Sequence, residues 1–368
     1  MVFAHISEKS LQERMTRSNA FFMGEVPDRT PASPMAIGLA GLMHGHPLYD
    51  FYTKPEIGVQ SIIHAGQMFD AEILPMWMYA TYWAEDYGAK IKMPVGRMSA
   101  PALVEPACKT LEEAENLEVL DLKELSNGPT MQRHWKALET AKKMLGPFFS
   151  PWSFPYEVFI QVAWWVGPEK AVMLVAKEPK LMHRLLKKAV EHCVNVNTLV
   201  AEKYGSSFII CSSLLTSNTL SRKQNIEFNL NYLEDMIKKS LDNGAGPGIF
   251  YHLCGDHKND WDLHKDMPMT PATIMHVAYE GKEPMDINKV MDVFGNKCVI
   301  LGNTDTALMQ LGTPAEVYDN VKEQVLAAKE SPKGFIAGNA CEVPPFAPPA
   351  NVYAFVQAVK DHGKLSKA

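Results

Sequence analysis

What most constrains this chain is a repeated alternation of short apolar runs and longer amphipathic segments. The runs cover residues 72–78, 146–152, 207–212, 248–252, 273–278, 297–303 and 333–339. Each has the length of a strand. Helical spacing marks 54–69, 168–177 leading into 179–204, 226–243, 287–294, 314–329 and 350–363. Thr313-Pro314 and Pro348-Pro349 begin two of these segments with residue types that start helices. A further helix over 8–23 ends before the turn Val26-Pro27-Asp28-Arg29.

Alternation of this kind builds a parallel sheet with helical crossovers, either closed into a (β/α)8 barrel or opened into a doubly wound sheet. The glycine signatures that cradle phosphate in open sheets are missing. Polar residues end several of the runs, and a barrel gathers those ends on one face. The expected fold is therefore an α/β TIM barrel with an N-terminal helical extension. It forms one domain over 1–368, with the extension at 1–69 and the barrel at 70–368.

Composition removes several classes of function. Hydrophobic residues make up 46% and charged residues 21%, as in a soluble globular chain. A net charge of -6 leaves no basic stripe for nucleic acid. No apolar stretch reaches membrane-spanning length, and the charged N-terminus lacks the core of a secretory signal. The six cysteines have no tight spacing, which fits a reducing cytoplasm rather than a disulfide framework. A homodimer is compatible with these properties.

The chemistry concentrates at the run ends. In His252-Leu253-Cys254-Gly255 the side chains at i and i+2 share one side of an extended segment, so imidazole and thiol converge. That nitrogen–sulfur pair suits zinc, and Cys341, just past the run 333–339, offers a third ligand. Three ligands with an open position would make a catalytic site. Cys211, also at a run end, is a rival ligand. Cys108, Cys193 and Cys298 read as structural. Glu280, Asp305 and Glu342 are candidate acids, and Asn303 could orient a substrate. His257 and His264 follow the first motif from a charged loop and read as solvated, although either could reach a site as a pH-responsive group. Among the many aromatics, Trp77, Tyr79 and Trp152 are candidates to line a pocket for a flat ligand, although core packing accounts for most of the rest.

These residues carry a family resemblance. Glu13-Arg14-Met15, Val26-Pro27-Asp28-Arg29-Thr30-Pro31, the His252-Leu253-Cys254-Gly255 turn, Gly302-Asn303-Thr304-Asp305, Gly312-Thr313-Pro314 and Cys341-Glu342-Val343-Pro344-Pro345 look like the uroporphyrinogen decarboxylase-like superfamily. The resemblance spans about residues 10–363 and implies a (β/α)8 barrel with a helical extension. The decarboxylases proper hold substrate carboxylates with an Arg-Gln-Ala-Gly-Arg segment near the first strand. Here Leu74 to Trp83 offers aromatics and no arginine, which argues against a polycarboxylate substrate.

The His-x-Cys pair with a distant cysteine resembles the zinc methyltransferases of corrinoid-dependent systems. The resemblance implies His252, Cys254 and Cys341 as zinc ligands. It also implies a cobalamin or related corrinoid carried by a separate corrinoid protein. As a Lewis acid, zinc would stabilise charge on the oxygen leaving a methyl ether. In the reverse sense it would activate a thiol. The aromatic-rich mouth favours a methoxylated aromatic as methyl donor, hence an O-demethylase. The alternatives are methyl transfer from a methyl-corrinoid protein to coenzyme M or another thiol, and a barrel that binds metal or a corrinoid protein without turnover.

Overall fold

The computed structural model describes residues 8–20 and 25–366, with side chains described from residue 12 onward. The expected helix over 8–23 is present as Glu8–Asn19, and its last positions lie outside the described residues. The helix is docked by its own cations. Arg17 reaches the fully buried carboxylate of Glu72 at 2.8 Å, and Glu72 in turn accepts from the backbone N–H of Ala32 at 2.8 Å.

The strands are β1 Ala32–Ser33, β2 Lys90–Lys92, β3 Ala102–Glu105, β4 Trp152–Tyr156, β5 Ser207–Ser212, β6 Ile249–Asp256, β7 Thr273–Glu280, β8 Glu283–Pro284, β9 Val299–Thr304 and β10 Phe335–Asn339. Seven of them form one curled parallel sheet in the order β1-β10-β9-β7-β6-β5-β4, with β8 hairpinned onto β7. The strands β2 and β3 make a separate antiparallel pair that alternation did not foretell. Helices between the strands cover the outer face, which gives the barrel-like α/β architecture expected from the alternation. The sheet also reaches into the segment assigned to the extension, because β1 lies at residues 32–33 and pairs with β10.

Two expected strands change. Residues 72–78 run beside β1, and the N–H groups of Glu72 and Ile73 both donate to the Ala32 carbonyl. Beyond that point no ladder forms. Pro75 lacks the N–H that a strand flanked on both sides requires. Ile73 nevertheless packs onto Ile274, Val299, Leu301 and Ile336, the apolar cluster filling the barrel interior. The run 146–152 becomes a 3-10 turn, Gly146–Phe148, followed by β4. Proline at 147 and 151 delays the strand for the same reason. Trp152 thus opens its strand, and Tyr156 closes it.

Register sets the site. Across the parallel strands Cys211 lies opposite His252, His252 opposite His276, and His276 opposite Leu301. Two residues earlier, Ile209, Phe250 and Ile274 form the apolar layer below. Alternation along each strand therefore turns apolar side chains inward first and donors inward next.

Among the described residues no single helix is long and apolar enough to cross a membrane. Helices Val158–Val166 and Pro168–Lys177 meet the length and composition test only as a pair, bent by 106°. The first of them is almost wholly buried in the core.

Candidate functional site

At the C-terminal end of the barrel, three thiols and an imidazole gather. The Sγ atoms of Cys254 and Cys341 are 3.6 Å apart, although 87 residues separate them. The ligand atoms of Cys211, His252 and Cys254 lie within 4.8 Å of one another. His252 is 6% exposed and stacks on His276, with ring centroids 4.5 Å apart. Its Nδ1 has no hydrogen-bond partner among the described residues. Gly255 follows with φ +88, where a Cβ would be strained and would meet Thr216 Cγ2 at 3.1 Å. This glycine lets β6 turn away immediately after presenting its two donors.

The electrostatics describe a site short of positive charge. Contact with Cys211 raises the Cys254 thiol pKa most, burial adds to the rise, and Cys341 opposes it. Cys341 is likewise pushed well up, by Cys254 first and then by burial, with His252 working the other way. Burial depresses His252, and neighbouring His276 adds to that effect. Crowded thiols that hold their protons beside a neutral imidazole become thiolates when a divalent cation is added. The donor set suits zinc. Tetrahedral ligation with Zn–S near 2.3 Å places sulfurs about 3.8 Å apart, close to the Cys254–Cys341 separation.

The other candidates separate in position. Glu342, next to Cys341, accepts from the Gly38 N–H at 2.8 Å, and burial pushes its carboxyl up to about 7. Glu280 pairs with Lys289 at 2.6 Å on the β7–β8 hairpin. Asp305 caps helix Thr306–Leu311 through the Ala307 N–H and accepts from the Tyr279 hydroxyl at 3.0 Å. Asn303 donates to the carbonyls of Val277, Ala278 and Met285 at 2.8–3.1 Å, clamping β9 to β7.

Trp77 is buried, with its Nε1 donating to the Phe51 carbonyl at 2.8 Å. Tyr79 is buried in an aromatic cluster with Tyr52, Trp77 and Tyr82. Trp152 sits at the N-terminal end of β4, paired with Ser207 at the start of β5. There it lines an apolar cavity of about 210 Å³ together with Trp77, Phe250 and Ile274, one layer below His252 and His276. The strand shift explains this placement, because a run ending at Trp152 would have carried it to the opposite mouth.

Tyr156 occupies that position instead and was not anticipated. Its φ is +74, uncommon for a residue with a side chain. Its hydroxyl pairs with Ser213 at 3.4 Å, and the three clustered thiols add to the burial that raises its pKa. Trp164 meets its ring edge-on at 6.4 Å. No local motif encodes a backbone turn imposed by packing, so the sequence carried no signal for it.

His257 and His264, read as solvated, are fully buried. Folding of the charged loop against β5 and β6 buries them in a polar network. His257 pairs with Asp260 at 3.0 Å and with the Ser212 carbonyl at 3.3 Å, while His264 bonds the Tyr251 hydroxyl at 2.6 Å.

The class is thus a parallel, barrel-like α/β protein with a thiol–imidazole cluster at the C-terminal mouth of the sheet. The chain belongs to the family described as uroporphyrinogen decarboxylase (URO-D), whose profile matches residues 13–362. Among solved structures it is similar to a methyltransferase from Methanosarcina mazei. The TM-score is 0.78 at 18% identity, covering 95% of this chain and 98% of that one. No curated protein sequence matches.

Proposed function

We propose that this protein is a zinc-dependent methyltransferase that moves a methyl group from a methoxylated aromatic to the Co(I) corrinoid of a separate corrinoid protein. The observation that carries the reading is the 3.6 Å approach of Cys254 and Cys341 beside His252. The fold shared with the Methanosarcina mazei methyltransferase supports the transfer class. Zinc held by these three residues would supply a Lewis acid for the oxygen that gives up its methyl group.

The chain's own groups supply the surroundings. Cys254 and Cys341 are only partly buried, so the donors open to the mouth of the barrel. Tyr156, beside the thiols, and Trp164, which meets its ring edge-on, would provide the aromatic wall in place of Trp77, Tyr79 and Trp152. Of the three candidate acids, Glu342 adjoins the thiols, whereas Glu280 and Asp305 are engaged with Lys289 and a helix cap. Arginines that would bind a polycarboxylate are absent from residues 72–83.

The test is incubation with chemically reduced cobalamin and a guaiacol-type ether, and in parallel with methylcobalamin and coenzyme M. Release of the phenol with formation of methylcobalamin is expected, together with about one zinc per chain. Thiol methylation alone would replace this reading with transfer to a thiol. Absence of bound zinc with full activity in Cys341→Ala would overturn the metal site.

A further inference from the structure

Register places Cys211 directly across from His252 in the neighbouring strand. Both follow apolar residues, Ile209 and Phe250, that turn into the barrel, so both side chains enter the same layer. Cys211 is 8% exposed, and its sulfur lies within 4.8 Å of the ligand atoms of His252 and Cys254. Cys341 approaches the same Cys254 sulfur at 3.6 Å. A fourth donor therefore stands beside the three that the proposed function uses. Two of the other buried thiols are committed elsewhere: Cys193 faces the Pro155 carbonyl at 3.6 Å, and Cys298 faces the Phe294 carbonyl at 3.8 Å.

We infer that Cys211 is a fourth metal ligand, so that the resting site is a closed set of three sulfurs and one nitrogen. This rests on the reading that His252, Cys254 and Cys341 hold zinc. The donors need little movement. Sulfurs around tetrahedral zinc are about 3.8 Å apart, so Cys211 and Cys254, within 4.8 Å of each other, close by about 1 Å or less, and Cys341 already approaches Cys254 at 3.6 Å. Three thiolates and one imidazole give divalent zinc a formal charge of about -1, compared with zero for the three-ligand set. Such a set has no vacant position at rest, so in the proposed function the substrate oxygen would take the place of Cys211 on the metal.

X-ray absorption at the zinc edge of the full chain loaded with zinc alone decides the matter. Three sulfurs and one nitrogen are expected in the unmodified protein, and two sulfurs in Cys211→Ser. In the cobalt(II)-loaded forms, thiolate-to-metal absorption should fall by about one third in Cys211→Ser and stay unchanged in Cys298→Ser. Zinc affinity, measured by chelator competition, should weaken at least as much as the roughly 10–100-fold lost with an outer-sphere partner. Two sulfurs in the unmodified protein would overturn the inference and leave the three-ligand site standing. Failure of the unmodified protein to bind zinc would overturn both. If the serine variant does not fold, the sulfur count of the unmodified protein decides alone.

Discussion

Two donor clusters lie a few residues apart on the chain and differ in character. The cluster His257, Asp260 and His264 is completely buried, and its donors lie within the same 4.8 Å of one another as Cys211, His252 and Cys254. In the first, however, His257 and Asp260 already answer each other and His264 bonds the Tyr251 hydroxyl through Nδ1, which leaves only His264 Nε2 without a partner among the described residues. Both ring nitrogens of His257 face acceptors, the Asp260 carboxylate and the Ser212 carbonyl. Burial works against charge on that ring, yet Asp260 prevails and leaves its pKa raised. An imidazolium that donates from both nitrogens has no lone pair for a metal. In the second cluster the sulfurs have chiefly one another, and a His252 nitrogen has no partner. Proximity of donors does not make a metal site; several of them must also be uncommitted, and in the first cluster only His264 Nε2 is.

Substitutions can break this comparison. The largest effect is expected from Cys341→Ala, which should lose the stoichiometric zinc and at least about a thousandfold in methyl transfer. That corresponds to the several kcal/mol a Lewis acid supplies. Retained zinc, measured by elemental analysis, would remove Cys341 from the ligand set. Asp260→Ala should behave in the opposite way, leaving metal content unchanged and costing about 3–5 kcal/mol of stability in denaturant unfolding, because a buried imidazolium loses its partner. Loss of zinc without loss of stability would exchange the roles of the two clusters.

A pH series sharpens the contrast further. Burial pushes the Glu157 carboxyl from 4.5 up to about 7, with the Ser212 side chain and His257 opposing the shift. Between those values the native state holds a proton that the unfolded chain releases, so stability falls as pH rises through the window. Glu157→Gln abolishes that slope. Its stability relative to the unmodified protein should climb by about 1–3 kcal/mol from pH 4.5 to 7. Parallel stability profiles would show that Glu157 ionises normally. The smallest effect belongs to Trp77→Phe, which loses the bond to the Phe51 carbonyl and about 1 kcal/mol of stability. Methyl transfer should be untouched, and a fall in kcat/KM would return Trp77 to the substrate pocket.

Much of this was written locally. The strands carrying Cys211, His252, His276 and Asn303, and helix Ile287–Phe294, follow from periodicity, because side-chain direction in strands and helices depends on spacing alone. The pairing of His252 with Cys254 has the same origin. Where proline interrupts an apolar run, at 75, 147 and 151, composition suggested a strand that the missing N–H groups delay or prevent. One such shift moved Trp152 to the far end of the barrel and put Tyr156 beside the thiols.

The sequence by itself determined the alternation, the parallel sheet and which residue types stand at its C-terminal ends, since each depends on near neighbours in the chain. Only the tertiary structure decided which donors meet. Inter-strand register set Cys211 beside His252, sheet curvature brought Cys341 to Cys254, and loop packing supplied His257 with two acceptors. The physical reason is that a ligand set depends on distances between atoms far apart in sequence, and whether a donor remains free depends on every neighbour that could satisfy it.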